Sequence, residues 1–167
     1  LGQWERAHTQ LNVCADMDPK AVPMREMSGH GLRCELMRDK VFKGQRSPMV
    51  FGQPEAWLAS LIESMLQVGQ GDLAQSHHLA QSAFDAAPAT AGTLDGQEFE
   101  WIADADSRLG PVLEAFVNGR YYWIPFNRLS RIAFEAPQDL RDCVWTPAQL
   151  VFANGGDTVR IGRGATL

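Results

Sequence analysis

The stretch Val112-Leu113-Glu114-Ala115-Phe116-Val117-Asn118-Gly119-Arg120-Tyr121-Tyr122-Trp123-Ile124 decides the fold of this chain. Two apolar runs flank Asn118-Gly119. Asn-Gly in that setting is a strong short-range hairpin signal, because both turn positions need positive φ. Alternation places Tyr121 and Trp123 on one face of the second strand and Tyr122 on the other. With Trp101, Phe126 and Trp145 these rings form an aromatic set large enough to fill a small β core. Trp101 and Trp123 are expected to be buried.

Working outward from the hairpin, turn residues and short apolar runs continue to alternate. Asp95-Gly96 is a turn signal, and Phe99 to Asp104 alternates as a strand does. Arg131 to Glu135 reads as another strand, broken by Ala136-Pro137, and Gln138 to Asp142 reads as a short turn or helix. Gln149 to Ala153 and Thr158 to Ile161 form a last pair joined by Asn154-Gly155-Gly156-Asp157. Five or six short strands with tight turns imply a curled antiparallel sheet or partly open barrel.

Upstream of Pro88 the period changes to that of helices. Gly2, Trp4, Ala7, Cys14 and Pro19 share their spacing with Gly71, Leu73, Ser76, Ala83 and Pro88, an offset of 69 residues. That is about twice the ~34-residue tetratricopeptide period. Small residues one turn apart let a second helix approach, and proline cannot continue the helix. Met27, His30, Cys34, Met37 and Val41 step by three and four along one helix from about Lys20 to Lys43. Trp57, Leu58, Leu61, Ile62, Met65 and Leu66 do the same after Pro54. The fold class is therefore α+β: tetratricopeptide-like antiparallel helix pairs over residues 1–88, then a small antiparallel β-rich domain over 96–167. The opening at Gly2 resembles the second helix of a repeat, so an N-terminally shortened helical region is expected.

Charge narrows the class of partner. Net charge is −5, and no Lys or Arg occurs between Arg46 and Arg108. That field repels phosphate backbones, so nucleic acid is not an expected partner, and a neutral or basic protein surface is. The most apolar stretch, Trp57 to Leu66, is far too short for a membrane span. The chain starts Leu-Gly-Gln-Trp without a basic and apolar leader, which argues against a retained signal peptide. Cys14, Cys34 and Cys143 are scattered and odd in number, fitting reduced thiols.

Candidate chemistry is sparse. Asp104 and Asp106, with Glu98 and Glu100 nearby, would converge if they lay on a strand, and could then serve a hydrolase or metal-dependent enzyme. The competing reading makes Asp104, Asp106 and Ser107 turn caps and Arg108 a carboxylate partner. His8, His30, His77 and His78 form no HExxH, and no Ser sits in a GxSxG elbow. His30 reads as a packed, hydrogen-bonded residue and Cys34 as core. No cofactor or metal site is expected. Trp57, Arg120, Tyr122 and Arg128 are the candidate partner-binding residues, since aromatics beside arginines are the composition of interface anchors.

As a set the C-terminal segments are specific. Gly96-Gln97-Glu98-Phe99-Glu100-Trp101-Ile102-Ala103-Asp104-Ala105-Asp106-Ser107-Arg108-Leu109-Gly110-Pro111 resembles the hallmark of the ImpE family, also called SciE or TagJ. So do Asn118 to Phe126, Ala136-Pro137, Leu140-Arg141-Asp142 and Val144-Trp145-Thr146-Pro147-Ala148. The resemblance implies a cytoplasmic, non-enzymatic accessory protein of bacterial type VI secretion systems. It also implies a protein partner, the small subunit of the contractile sheath, and through it the AAA+ ATPase that disassembles spent sheath. Family members begin with further helical-repeat sequence that this chain lacks.

Overall fold

The computed structural model describes residues 2–155 and the backbone of residues 159–162. Over these the chain is α+β. Helices α1 (Trp4–Met17), α2 (Val22–Phe42), α3 (Ala56–Gln70) and α4 (Leu73–Ala86) come first, followed by seven short strands. These are β1 (Gly92–Leu94), β2 (Gln97–Phe99), β3 (Val112–Val117), β4 (Arg120–Pro125), β5 (Leu129–Phe134), β6 (Pro147–Phe152) and β7 (Val159–Gly162). No described helix is long and apolar enough to cross a membrane.

Both windows of the repeat begin helices where the spacing puts them, at Trp4 and Leu73. Gly71 ends α3 at φ 82°, a left-handed cap that favours glycine, and the Asp72 carboxylate accepts from Gln75 N–H at 3.0 Å to open α4. Ser76 and Ala83 are buried against α3, but on α1 Cys14 is exposed and Ala15 takes the packing position. Pro19 opens a 3-10 turn ahead of α2, rather than only closing α1. Along α2, Cys34 and Val41 are buried together with Leu32 and Glu35, whereas Met27, His30 and Met37 are exposed. The apolar step pattern marked the helix correctly and its inner face only in part. The pairs are locked where α2 ends: a Cβ on Gly69 would collide with the Gly44 carbonyl, and Gly44 itself sits at φ 66°.

The named strands pair antiparallel among the described residues, in ladders β1-β2, β3-β4 and β5-β6-β7. Asn118 (φ 50°) and Gly119 (φ 72°) turn the β3-β4 hairpin as the dipeptide requires. Two expectations need correction. The strand from Phe99 ends at Phe99, because Asp104 N–H is drawn away to the Gly110 carbonyl at 2.8 Å and the chain there forms a turn. Trp101, just beyond β2, is 68% exposed instead of buried. Of the two readings of Gln138 to Asp142, the turn is the one found from Asp139 on, stapled by Asp139 accepting from the N–H groups of Arg141 and Asp142. The expected loop and strand start at Gly156, Asp157 and Thr158 lie outside the described residues.

The hairpin is walled in on both faces. Val112, Phe116, Tyr121 and Trp123 pack with Cys34, Val41, Trp57, Leu58, Leu61, Met65 and Ala83 of the helices. Leu113, Ala115, Val117 and Ile124 pack instead with Phe126, Ala148 and Leu150. One strand pair thus separates two cores, and the first is shared by helices and strands. Residues 48–50 add an edge to it, Met49 N–H donating to Tyr121 O (3.1 Å) and Trp123 N–H to Met49 O (2.9 Å).

Candidate functional site

Inside the shared core lies a charged network that no residue pattern singled out. Glu114, in the middle of an otherwise apolar strand, is 3% exposed. Arg38 of α2 grips it with two bonds, Nε at 2.7 Å and a terminal nitrogen at 3.2 Å. Tyr121 Oη donates to the same carboxylate, and Trp123 Nε1 donates to Tyr121 Oη at 2.7 Å. Burial opposes the Arg38 charge, but the hydrogen bond and field of Glu114 hold its pKa above the ordinary value. Burial and the Glu114 charge together push the Tyr121 hydroxyl up, keeping it a donor. The Arg38 and Arg108 guanidiniums both stand over the Phe42 ring, 4.5 Å and 4.1 Å from its centre. A lone Glu in an apolar run was the signal that could have announced this.

The acidic candidates are held by their own turn. The Asp104 carboxylate accepts from Asp106 N–H at 2.8 Å. Asp106 accepts from Arg108 N–H at 3.0 Å and is clamped by the Arg108 guanidinium at 2.9 and 2.6 Å. That hydrogen bonding outweighs partial burial and holds the Asp106 carboxyl below the usual carboxylate range. Asp104 and Asp106 therefore do not converge on a strand face, and Glu98 and Glu100 lie on the β1-β2 side of that turn. No cluster of three or more His, Cys, Asp or Glu among the described residues has metal-binding spacing.

The four partner-binding candidates divide. Trp57 is 6% exposed and gives its Nε1–H to Glu55 at 3.0 Å. Arg128 reaches the same carboxylate at 3.3 Å and binds the carbonyls of Phe51 (2.6 Å) and Gln53 (2.8 Å). Burial raises the Glu55 carboxyl, but the donors Trp57, Asn127 and Arg128 outweigh it and leave the pKa lowered. Tyr122 is half-buried and stacks on Phe51, ring centres 4.4 Å apart. Arg120 is exposed beside the hairpin turn.

A cleft of about 220 Å³ lies between α2, the hairpin tip and the 141–147 turn. Met27, His30, Cys34, Phe116 and Trp145 line it together with the charged Arg141 and Asp142. The indole of Trp145 donates to Glu35 at 3.1 Å and covers Gly31, where a Cβ would come within 2.7 Å of the ring. His30 is thus an exposed cleft residue, not a packed one. Cys34 is 1% exposed, and burial pushes its thiol up to about 11, so it lines the floor as an unreactive group.

Comparison with known proteins bears on the whole arrangement. Residues 96–161 match the family described as ImpE protein. Over 163 residues the chain is 48% identical to the "Type VI secretion system accessory component TagJ" of Pseudomonas aeruginosa, a match covering 96% of this chain. It spans 57% of that relative's length. Protein VPA1032 from Vibrio parahaemolyticus, known from an X-ray crystal structure, shares the fold with a TM-score of 0.83 at 22% identity. That likeness covers 96% of this chain and 61% of the other.

Proposed function

We propose that the chain, whose residues 96–161 match the ImpE family, is a member of it and a non-enzymatic accessory protein of a bacterial type VI secretion system, working in the cytoplasm as a protein adaptor. The observation that carries this reading is the 48% identity to an accessory component of that system along 96% of the chain. Its partner is the small subunit of the contractile sheath, which it links to the AAA+ ATPase. The internal commitment of Asp104 and Asp106 to turn and arginine contacts supports an adaptor over a hydrolase. Arg120, exposed at the hairpin tip, touches the partner. Trp57, Tyr122 and Arg128 are engaged by contacts within the chain, with Glu55 and Phe51.

The test is to mix the chain with the cognate small sheath subunit and measure the mass of the eluting species by light scattering. A co-eluting complex, unchanged by Asp104→Asn with Asp106→Asn, is the expected result. Two separate peaks at concentrations well above micromolar would overturn the adaptor reading.

A further inference from the structure

Neither core takes a residue from the β1-β2 hairpin, whose strands pair with each other and, among the described residues, with no third strand. Asp95 (φ 51°) and Gly96 (φ 83°) turn it, and the register runs Leu94 opposite Gln97, Thr93 opposite Glu98 and Gly92 opposite Phe99. In a two-residue hairpin the pair flanking the turn exchanges both backbone bonds and the next pair exchanges none, so the N–H and C=O of Thr93 and Glu98 point outward. Among the described residues no backbone group meets them. An open strand edge is a template for a further strand, and natural proteins blunt such edges with lysine, proline or a covering element. This one carries carboxylates instead. Asp95, Glu98 and Glu100 are exposed and have no hydrogen-bond or ion-pair partner among the described residues. No Lys or Arg occurs from residue 47 to residue 107, and Arg108, the first base beyond, is engaged with Asp106 and the Phe42 ring. Large apolar groups stand in the same water: Leu94 is 55% exposed and Trp101 68%.

We propose that the outer edge of β2, with Trp101 just beyond it, takes an extended, lysine- or arginine-bearing segment of a partner protein as an added strand. The segment's backbone meets the outward N–H and C=O of Glu98, the mode by which extended peptides join an exposed sheet edge. Its bases supply the countercharge that Glu98 and Glu100 lack within the chain, and a base or apolar group covers the exposed Trp101 indole. Charge selects both the edge and the occupant. Glu98 lies in β2 and Glu100 follows it directly, whereas β1 offers only Gly92, Thr93 and Leu94. A second copy of this chain, adding edge to edge, would set Asp95, Glu98 and Glu100 against their own counterparts, and an acidic segment would meet the same repulsion. A nucleic-acid backbone is repelled likewise. This contact is separate from the Arg120 contact of the adaptor reading and does not rest on it.

The test adds three labelled peptides to the full chain and follows their fluorescence anisotropy. One alternates lysine with valine, and its twin carries glutamate in place of lysine. The third is the lysine peptide methylated on the lysine backbone nitrogens, which keeps every charge and removes the N–H groups that would meet Glu98. The plain lysine peptide should bind about tenfold or more tightly than either of the others. Glu98→Lys with Glu100→Lys should turn the preference to the glutamate peptide, and Trp101→Ser should weaken the lysine peptide severalfold. All three positions are exposed, so unchanged circular dichroism melting shows that the variants fold. Equal binding of the lysine and glutamate peptides, or no binding of the lysine peptide at millimolar concentration, overturns the site. So does a methylated peptide that binds as well as the plain one, since that is adhesion by charge without strand addition. Binding that survives Glu98→Lys with Glu100→Lys places the contact elsewhere and overturns it too. No sheath subunit enters this test, so its failure leaves the proposed function standing.

Discussion

At Glu114 a single carboxylate is taken out of water and answered by Arg38 and Tyr121, which ties the helices to the hairpin more specifically than apolar packing does. Removing one member strands the other: Arg38→Met or Glu114→Gln should cost about 3–5 kcal/mol. The paired change Arg38→Met with Glu114→Leu should recover most of that loss, as read from urea midpoints. A paired variant no better than the singles would show that the network is more than a compensated pair. Asp106 and Glu55 give the acid limb of stability. Both have folded pKa values below their unfolded ones, so their contributions are complete above the usual carboxylate range and disappear as pH falls through the depressed values. Arg108→Ala should flatten the melting-temperature decline below about pH 4, the unfolded carboxylate range. None of these partners was readable beforehand except Arg108, because Arg38 and Glu114 are 76 residues apart and only the fold brings them together.

Between elements, the close approaches are made by glycines. Gly69→Ala drives a methyl group into the backbone at Gly44, which cannot yield as a side chain would, and should cost about 1–3 kcal/mol. Gly71→Ala, at φ 82° with open space around it, carries conformational strain alone and should cost about 1 kcal/mol. Equal losses in thermal or urea unfolding would show that the α2-α3 crossing is loose. The element scale is where sequence was most legible. Turn chemistry fixed the hairpin at Asn118-Gly119, since it depends on φ and on no distant residue. Alternation from Phe99 to Asp104 misled because Asx turns at Asp104 and Asp106 compete locally with strand pairing. Periodicity on α2 found the helix but assigned Met27 and Met37 inward, since methionine spacing alone cannot tell core from exposed surface.

Across the whole molecule, the hairpin reads as an ordinary two-faced strand pair, yet helices cover one face and β6 the other. No local pattern reveals that second layer, which comes from how the chain returns. The consequence is a rigid wall whose tip, at Gly119 and Arg120, stands beside the basic, methionine-bearing α2. Of the candidate interface residues, Arg120 was legible as exposed, because hairpin tips are solvated. Arg128 was not legible as internally engaged, because its partner Glu55 lies in a loop 73 residues away. The most direct check on this account is amide hydrogen exchange of the chain with and without the cognate small sheath subunit. Slowed exchange is expected over residues 117–120, where Arg120 stands exposed at the hairpin tip, with α3 and α4 unchanged. Protection confined to α3 and α4, or none anywhere at saturating subunit, would contradict it.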